Sequence, residues 1–362
     1  MTVRKHPNRH IVKNRGAQSN PVNRFAPRQT ADFDDGWAEE DDPLPALATE
    51  VFADRSKTIV ATNRSPDIPF EQSINPYKGC EHGCVYCFAR PTHEYLDLSL
   101  GRDFESKLFY KPNAVELLEK FLNRPGYRCR PIALGMNTDA YQPLEKEKRV
   151  TRGLLETLLR YKHPVSLVTK GSLILRDLDI LAELARDDLV SVMVSVTTLD
   201  KELKRIMEPR TPSPVTRLKV IRGLSERNIR VGALVAPIIP CINDDELESI
   251  VAACAEHGAG QTGYVLLRLP YQLKDLFADW LELHFPLRKR KVLNMLRDLH
   301  GGDLYRSEFG ARMRGRGTYA RLIEQRFDIA RRKNGLLADR RWNLRTDLFR
   351  APGGVEQYSL KF

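Results

Sequence analysis

From residue 73 the chain alternates short apolar runs with amphipathic ones six times, and that rhythm limits the fold more than any other feature. Runs near 73–77, 132–137, 165–169, 190–197, 231–239 and 264–269 have the length of strands. Stretches at 112–123, 146–161, 177–187, 214–228 and 244–257 have helical spacing instead. Val115, Leu118 and Leu122 share one face of the first, and Val150, Leu154, Leu155 and Leu158 one face of the second. Strands separated by helices pair in parallel through right-handed crossovers. Six units are too few for a closed eight-stranded barrel, so an α/β partial barrel is expected, with its chemistry at the C-terminal ends of the strands.

The loop leaving the first strand carries Cys80, Cys84 and Cys87 in the spacing C-x3-C-x2-C. Six cysteines with three clustered in this way are not a disulfide framework. Three thiolates within reach of one centre suit two occupants. A structural zinc wants four protein ligands, and His82 could supply the fourth. A [4Fe–4S] cluster on three cysteines keeps one iron free for a small molecule.

The stretch from Ile74 through Cys80 to Phe88, with Tyr86 between the last two cysteines, resembles the C-x3-C-x-aromatic-C motif of radical S-adenosylmethionine (SAM) enzymes. That resemblance implies a partial (β/α)6 barrel of the TIM type. It also implies a [4Fe–4S] cluster on Cys80, Cys84 and Cys87, with SAM chelated to the open iron. An electron from a donor such as flavodoxin or ferredoxin would then cleave SAM to a 5′-deoxyadenosyl radical that takes hydrogen from a substrate. The alternative is a nucleic-acid-binding protein whose three-cysteine site is structural.

Further polar residues sit where the strands end. Asn137, Thr138 and Asp139 after the second strand suit contact with a zwitterion, although Thr138 or Asp139 could equally cap a helix. Lys170 leaves the third strand where it could meet a carboxylate or simply be solvated. Ser195 lies in the fourth strand, where a buried hydroxyl needs a partner. Arg210 and Arg217 could each grip a carboxylate with two hydrogen bonds. Together with Glu208, Pro209 and the run Val235 to Pro237, these positions resemble the spore photoproduct lyase-like branch of the family, often labelled DNA repair photolyase-like. The segment from Arg15 to Phe25 resembles that branch's leader.

The likeness implies that Lys170, Ser195 and one of Arg210 or Arg217 hold SAM. Tyr86 and the backbone of Phe88 would lie beside it, and Asn137, Thr138 and Asp139 near its amino group. The usual Gly-Gly-Glu of that last motif is missing, so only its polar role carries over. Met136 stands where lyases of this branch place a hydrogen-donating cysteine, and it has no S–H to give. Of the other cysteines, Cys254 reads as core and Cys129 precedes the second strand, at the wrong end of the barrel. Cys241, after the fifth strand, is the candidate catalytic thiol, or else a small loop residue.

Charge bears on partners. The chain is +11, and residues 286–350 hold eighteen Arg and Lys against seven Asp and Glu, an excess equal to that of the whole chain. A nucleic acid fits such a segment, as does a merely solvated basic surface. Residues 1–50, basic and then acidic at 32–42, lack periodicity and are expected to be a disordered leader. The partial barrel is expected over 51–285 and a basic helical extension over 286–362. No apolar run is long enough to cross a membrane and the start lacks a signal-peptide core, so a cytoplasmic enzyme without a membrane partner is expected.

Overall fold

The computed structural model describes residues 14–26, 48–336 and 343–351. Its main sheet holds six parallel strands in chain order: Gln72–Ile74, Ile132–Leu134, Val165–Thr169, Val190–Ser195, Arg230–Ile238 and Gln261–Leu266. A seventh, Val60–Thr62, adds antiparallel to the first. A smaller sheet pairs Lys107–Tyr110 with Glu50–Ala53 and Tyr77–Lys78. The expected (β/α)6 architecture is therefore present, with the cysteine loop following the first strand.

Helices cover the sheet with the faces their periodicity specified. Val150–Arg160 buries Val150, Leu154, Leu155 and Leu158, and Ala114–Leu122 buries Leu118 and Leu122 against it. Each such leucine contributes about 1.5–3 kcal/mol by leaving water. The third strand alternates buried Val165, Leu167 and Thr169 with half-buried Ser166 and Val168.

The second strand is shorter than its apolar run. Gly135 has φ +80°, which turns the chain at Leu134 into a loop at the barrel mouth. The expected helix at 146–161 is two, Glu145–Lys148 and Val150–Arg160, divided at Arg149 with φ 51°.

The leader departs from expectation. Residues 1–13 and 27–47 lie outside the described residues, but 14–26 are packed rather than disordered, with Arg15, Gly16 and Ala17 buried. Their backbone satisfies a buried carboxylate: Gly16 N and Ala17 N donate to Glu105 at 3.0 and 2.8 Å. A bond partner so distant in sequence gives the segment order without any periodicity.

The basic extension is not a separate surface. Its helices Pro286–Leu299 and Gly317–Lys333 lie against the barrel, where Tyr319 donates to Asp244 at 2.5 Å and Arg326 pairs with Glu248 at 2.7 Å. The loop between them caps the sheet edge, Leu266 N donating to Met313 O at 2.9 Å. Arg312 pairs with Asp67 at 2.6 Å and Arg316 with Glu308 at 2.5 Å, so part of the segment's charge is neutralised within the protein. Among the described residues, no helix is long and apolar enough to cross a membrane.

Candidate active site

The cysteine loop is held in place by buried charge. Arg90 donates through Nε to Cys84 O at 2.9 Å and through Nη1 to Leu100 O and Gly101 O, while its Nη2 pairs with Glu105, the residue that also receives the leader. Cys80 N donates to Phe104 O at 2.9 Å. The loop thus has a fixed backbone whose thiols face inward.

Cys80, Cys84 and Cys87 line one cavity of about 390 Å³ at the C-terminal mouth of the barrel, a size suited to a small-molecule ligand. Burial pushes the Cys84 thiol up to about 12 although Lys170 opposes the shift, and burial followed by the nearby Asp139 raises Cys80 as well. A metal centre binding here must displace those protons.

The strand ends bring Asn137, Asp139, Lys170 and Ser195 into the same cavity, and Tyr86, Phe88 and Met136 also line it. Asp139 accepts from Lys170 N at 2.7 Å, Thr169 Oγ1 at 2.6 Å and Tyr141 N at 2.8 Å, and lies 3.3 Å from His82 Nδ1. Burial would raise its pKa, but His82 and these donors outweigh burial and hold it well below the usual range. Asp139 is therefore a fixed anion that fastens the cysteine loop to the second and third strands.

Lys170 keeps its charge. Burial lowers its pKa, yet Cys84 and Glu208 outweigh that and leave it raised. Its ammonium lies 5.8 Å from the Tyr86 ring and has no ion-pair partner among the described residues. A half-buried cation left open in this way suits an incoming carboxylate.

Several expected site residues lie elsewhere. Arg217 is buried behind the cavity wall, where it pairs with Glu208 and donates to Ser195 O at 3.1 Å, Pro212 O at 3.2 Å and Thr211 Oγ1 at 2.5 Å. Four of its five N–H donors are used and it does not line the cavity, so it is not placed to grip a ligand there. Arg210 pairs with Glu81 at 2.8 Å and does not reach the cavity. Thr138 closes the mouth turn by donating to Tyr77 O at 2.8 Å, and is likewise absent from the lining. Cys241 is also turned away: its Sγ lies 3.3 Å from Met295 Sδ on a C-terminal helix, so it is not placed to return hydrogen to a substrate.

The cavity also has walls outside the cysteine loop and the polar strand ends. Asp67 to Phe70, Arg268, Arg312 and Met313 complete it. Tyr86 is fixed from behind, its hydroxyl bonded to Glu208 and 3.3 Å from Thr197 Oγ1.

The donor set fits the group implied by the cysteine spacing: three thiols on one wall, with a charged lysine nearby to receive a carboxylate. Comparison with known proteins agrees. The Radical SAM superfamily matches residues 74–254. An uncharacterized protein of Mycobacterium tuberculosis is 38% identical over 231 residues, covering 62% of this chain and 68% of its own length. One from Methanocaldococcus jannaschii is 29% identical over 173 residues, 48% of this chain and 62% of that one. Among solved structures, spore photoproduct lyase complexed with dinucleoside spore photoproduct shares the fold, with a TM-score of 0.55 over 78% of this chain and 79% of that chain, at 15% identity.

Proposed function

The chain belongs to the radical SAM superfamily, whose enzymes use a [4Fe–4S] cluster and SAM, and from that premise we propose that it applies this chemistry to a nucleic-acid substrate, in lesion repair or base modification. The observation that carries the reading is the shared cavity of Cys80, Cys84, Cys87, Lys170 and Ser195. In it the three cysteines would hold the cluster. When bound, the cluster supplies the electron that cleaves SAM reductively and so starts hydrogen abstraction. Lys170 would bind the SAM carboxylate and Ser195 would contribute its hydroxyl. Asp139 positions Lys170 by accepting its backbone N–H and holds His82 against the loop. Tyr86, anchored on Glu208, forms part of the floor.

The +11 charge supports a nucleic-acid substrate, as does the dinucleoside ligand of the similar lyase structure. Reversal of the spore photoproduct itself is not part of the proposal. Cys129, Cys241 and Cys254 do not line the cavity, so no thiol outside the three cluster ligands is placed to return hydrogen. A cytoplasmic location and a flavodoxin or ferredoxin as electron donor complete the reading.

The test is anaerobic reconstitution followed by incubation with SAM and dithionite. About four iron and four sulfide per chain with release of 5′-deoxyadenosine is the expected result. About one zinc per chain and no 5′-deoxyadenosine would overturn it.

A further inference from the structure

Arg268, two residues beyond the sixth strand, is a cation in the cavity wall with no acid to pair with among the described residues. Its Nε is buried without a hydrogen-bond partner, and its Nη2 reaches Tyr305 Oη only at 3.5 Å, the outer limit of a bond. Its Cζ lies 4.8 Å from the centroid of the Phe88 ring, which is 41% exposed although its neighbour Cys87 is a proposed cluster ligand. Among the described residues no carboxylate lies within ion-pair distance of Arg268. The other cavity arginine, Arg312, is by contrast neutralised by Asp67 at 2.6 Å.

The position of Arg268 separates it from the cofactor lysine. Lys170 follows the third strand and Arg268 the sixth, three strand spacings apart, or about 14 Å along the sheet at about 4.8 Å each. A carboxylate held at Lys170 leaves Arg268 for a second anion. A guanidinium stays charged at any working pH, and its planar fork matches the oxygens of a phosphate. An exposed aromatic ring beside it offers a face on which a planar base can stack.

We propose that Arg268 and Phe88 form the substrate subsite, which takes a phosphate ester bearing a planar base: a nucleotide, free or within a strand. This rests on the radical SAM reading above, and it names the side chains that would meet the substrate. Arg268 binds the phosphate, and Phe88 supports both the guanidinium and the base.

The experiment measures binding to the reconstituted full-length protein by three probes: a fluorescent oligothymidylate of about ten nucleotides, the same oligomer with uncharged methylphosphonate linkages, and thymidine 5′-monophosphate. The wild type is expected to bind the phosphate probes and not the uncharged one. R268A should bind them at least tenfold more weakly, with a salt slope smaller by about 0.7, the change expected when one single-strand phosphate is no longer neutralised. R268K, which keeps the charge but loses the fork, should fall between and covers the case in which R268A does not fold. SAM binding by the same variants should change less than twofold. Binding by the oligomer alone marks a strand as the ligand, and equal binding by the mononucleotide marks a free nucleotide. No phosphate-probe binding by the wild type, or unaltered binding in both variants, overturns the proposal. A loss confined to SAM binding assigns Arg268 to the cofactor and overturns it too. Release of 5′-deoxyadenosine by the wild type is read separately, so failure of the family chemistry is not confused with failure of the subsite.

Discussion

His82, in the middle of the cysteine loop, places its Nδ1 3.3 Å from the carboxylate of Asp139 at the mouth of the second strand. The same carboxylate takes the backbone N–H of Lys170 and the hydroxyl of Thr169. One half-buried anion therefore sets the distance between the thiols and the lysine proposed to hold SAM. Such preorganisation lets ligands bind without first ordering the loop.

Asp139→Ala should leave the barrel folded, because the carboxylate sits at the mouth rather than in the core. It should lower iron incorporation several-fold and weaken SAM binding, in line with losses seen when groups that orient metal ligands are removed. Iron content and far-UV circular dichroism check this together. Full iron loading with unaltered SAM binding would mean that the loop holds its shape without Asp139.

Cys80→Ala, Cys84→Ala and Cys87→Ala should each abolish the visible iron–sulfur absorbance and SAM cleavage. All three line the cavity and the cluster needs every one of them. Any single variant that still releases 5′-deoxyadenosine at the wild-type rate would remove its cysteine from the ligand set.

Glu208 makes stability depend on acid. Burial works to raise its pKa, but Arg217 and Lys170 outweigh it and bring it from 4.5 to about 2. A depressed carboxylate contributes stability that is complete above its unfolded pKa and is lost as pH falls toward its folded one. The metal-free protein should therefore lose on the order of 3 kcal/mol from this group between about pH 4.5 and pH 2. Glu208→Gln should flatten that part of the curve while costing about 3–5 kcal/mol at neutral pH, since Arg217 is then buried without its partner. Chemical denaturation across the pH range reads both effects, and an acid limb with the same slope in the variant would contradict the assignment.

The six strands, their helices and the cysteine triad are legible in the sequence because each rests on local spacing. Asp139, Lys170 and Ser195 are legible for a related reason, as polar residues at the ends of apolar strands that a barrel turns toward one mouth. Arg217 misleads because sequence alone offers it a ligand carboxylate, while the structure gives it Glu208, nine residues earlier on the far side of a turn. Arg268 is inconspicuous inside an apolar run, and its significance lies in the absence of a neighbouring acid among the described residues, which no local pattern shows. The packed leader is hidden for the opposite reason: its partner, Glu105, is distant in sequence and is bonded by backbone N–H groups that leave no trace in residue type.

Gly16 should be intolerant of a side chain. A Cβ there would lie 1.9 Å from the backbone oxygen of Gly83, within the cysteine loop, and backbone cannot yield as a flexible side chain can. Gly16→Ala should release the leader from Glu105 and leave that carboxylate without two of its donors. The expected outcome is faster proteolysis before residue 26 and a loss of about 1–3 kcal/mol in stability. Equal proteolytic resistance would show that the leader is held chiefly elsewhere.

Cys241 offers the last test, because its placement favours the second of the two roles that sequence left open, a small loop residue. It follows the fifth strand at the catalytic end, yet its thiol meets Met295 rather than the cavity. Its backbone has φ +60°, a region that costs a residue bearing Cβ about 1–2 kcal/mol. Cys241→Ala should therefore keep SAM cleavage and, once a substrate is known, the wild-type products, with stability lowered by no more than about 1 kcal/mol for removal of the sulfur from Met295. Cys241→Gly relieves the backbone strain but adds freedom to the unfolded chain, about 0.5–1 kcal/mol, so it should be at least as stable as the alanine variant. Thermal melts of the two variants and product analysis by mass spectrometry decide the matter. Altered products in Cys241→Ala would return the thiol to the reaction, and a glycine variant clearly less stable than alanine would refute the strain argument.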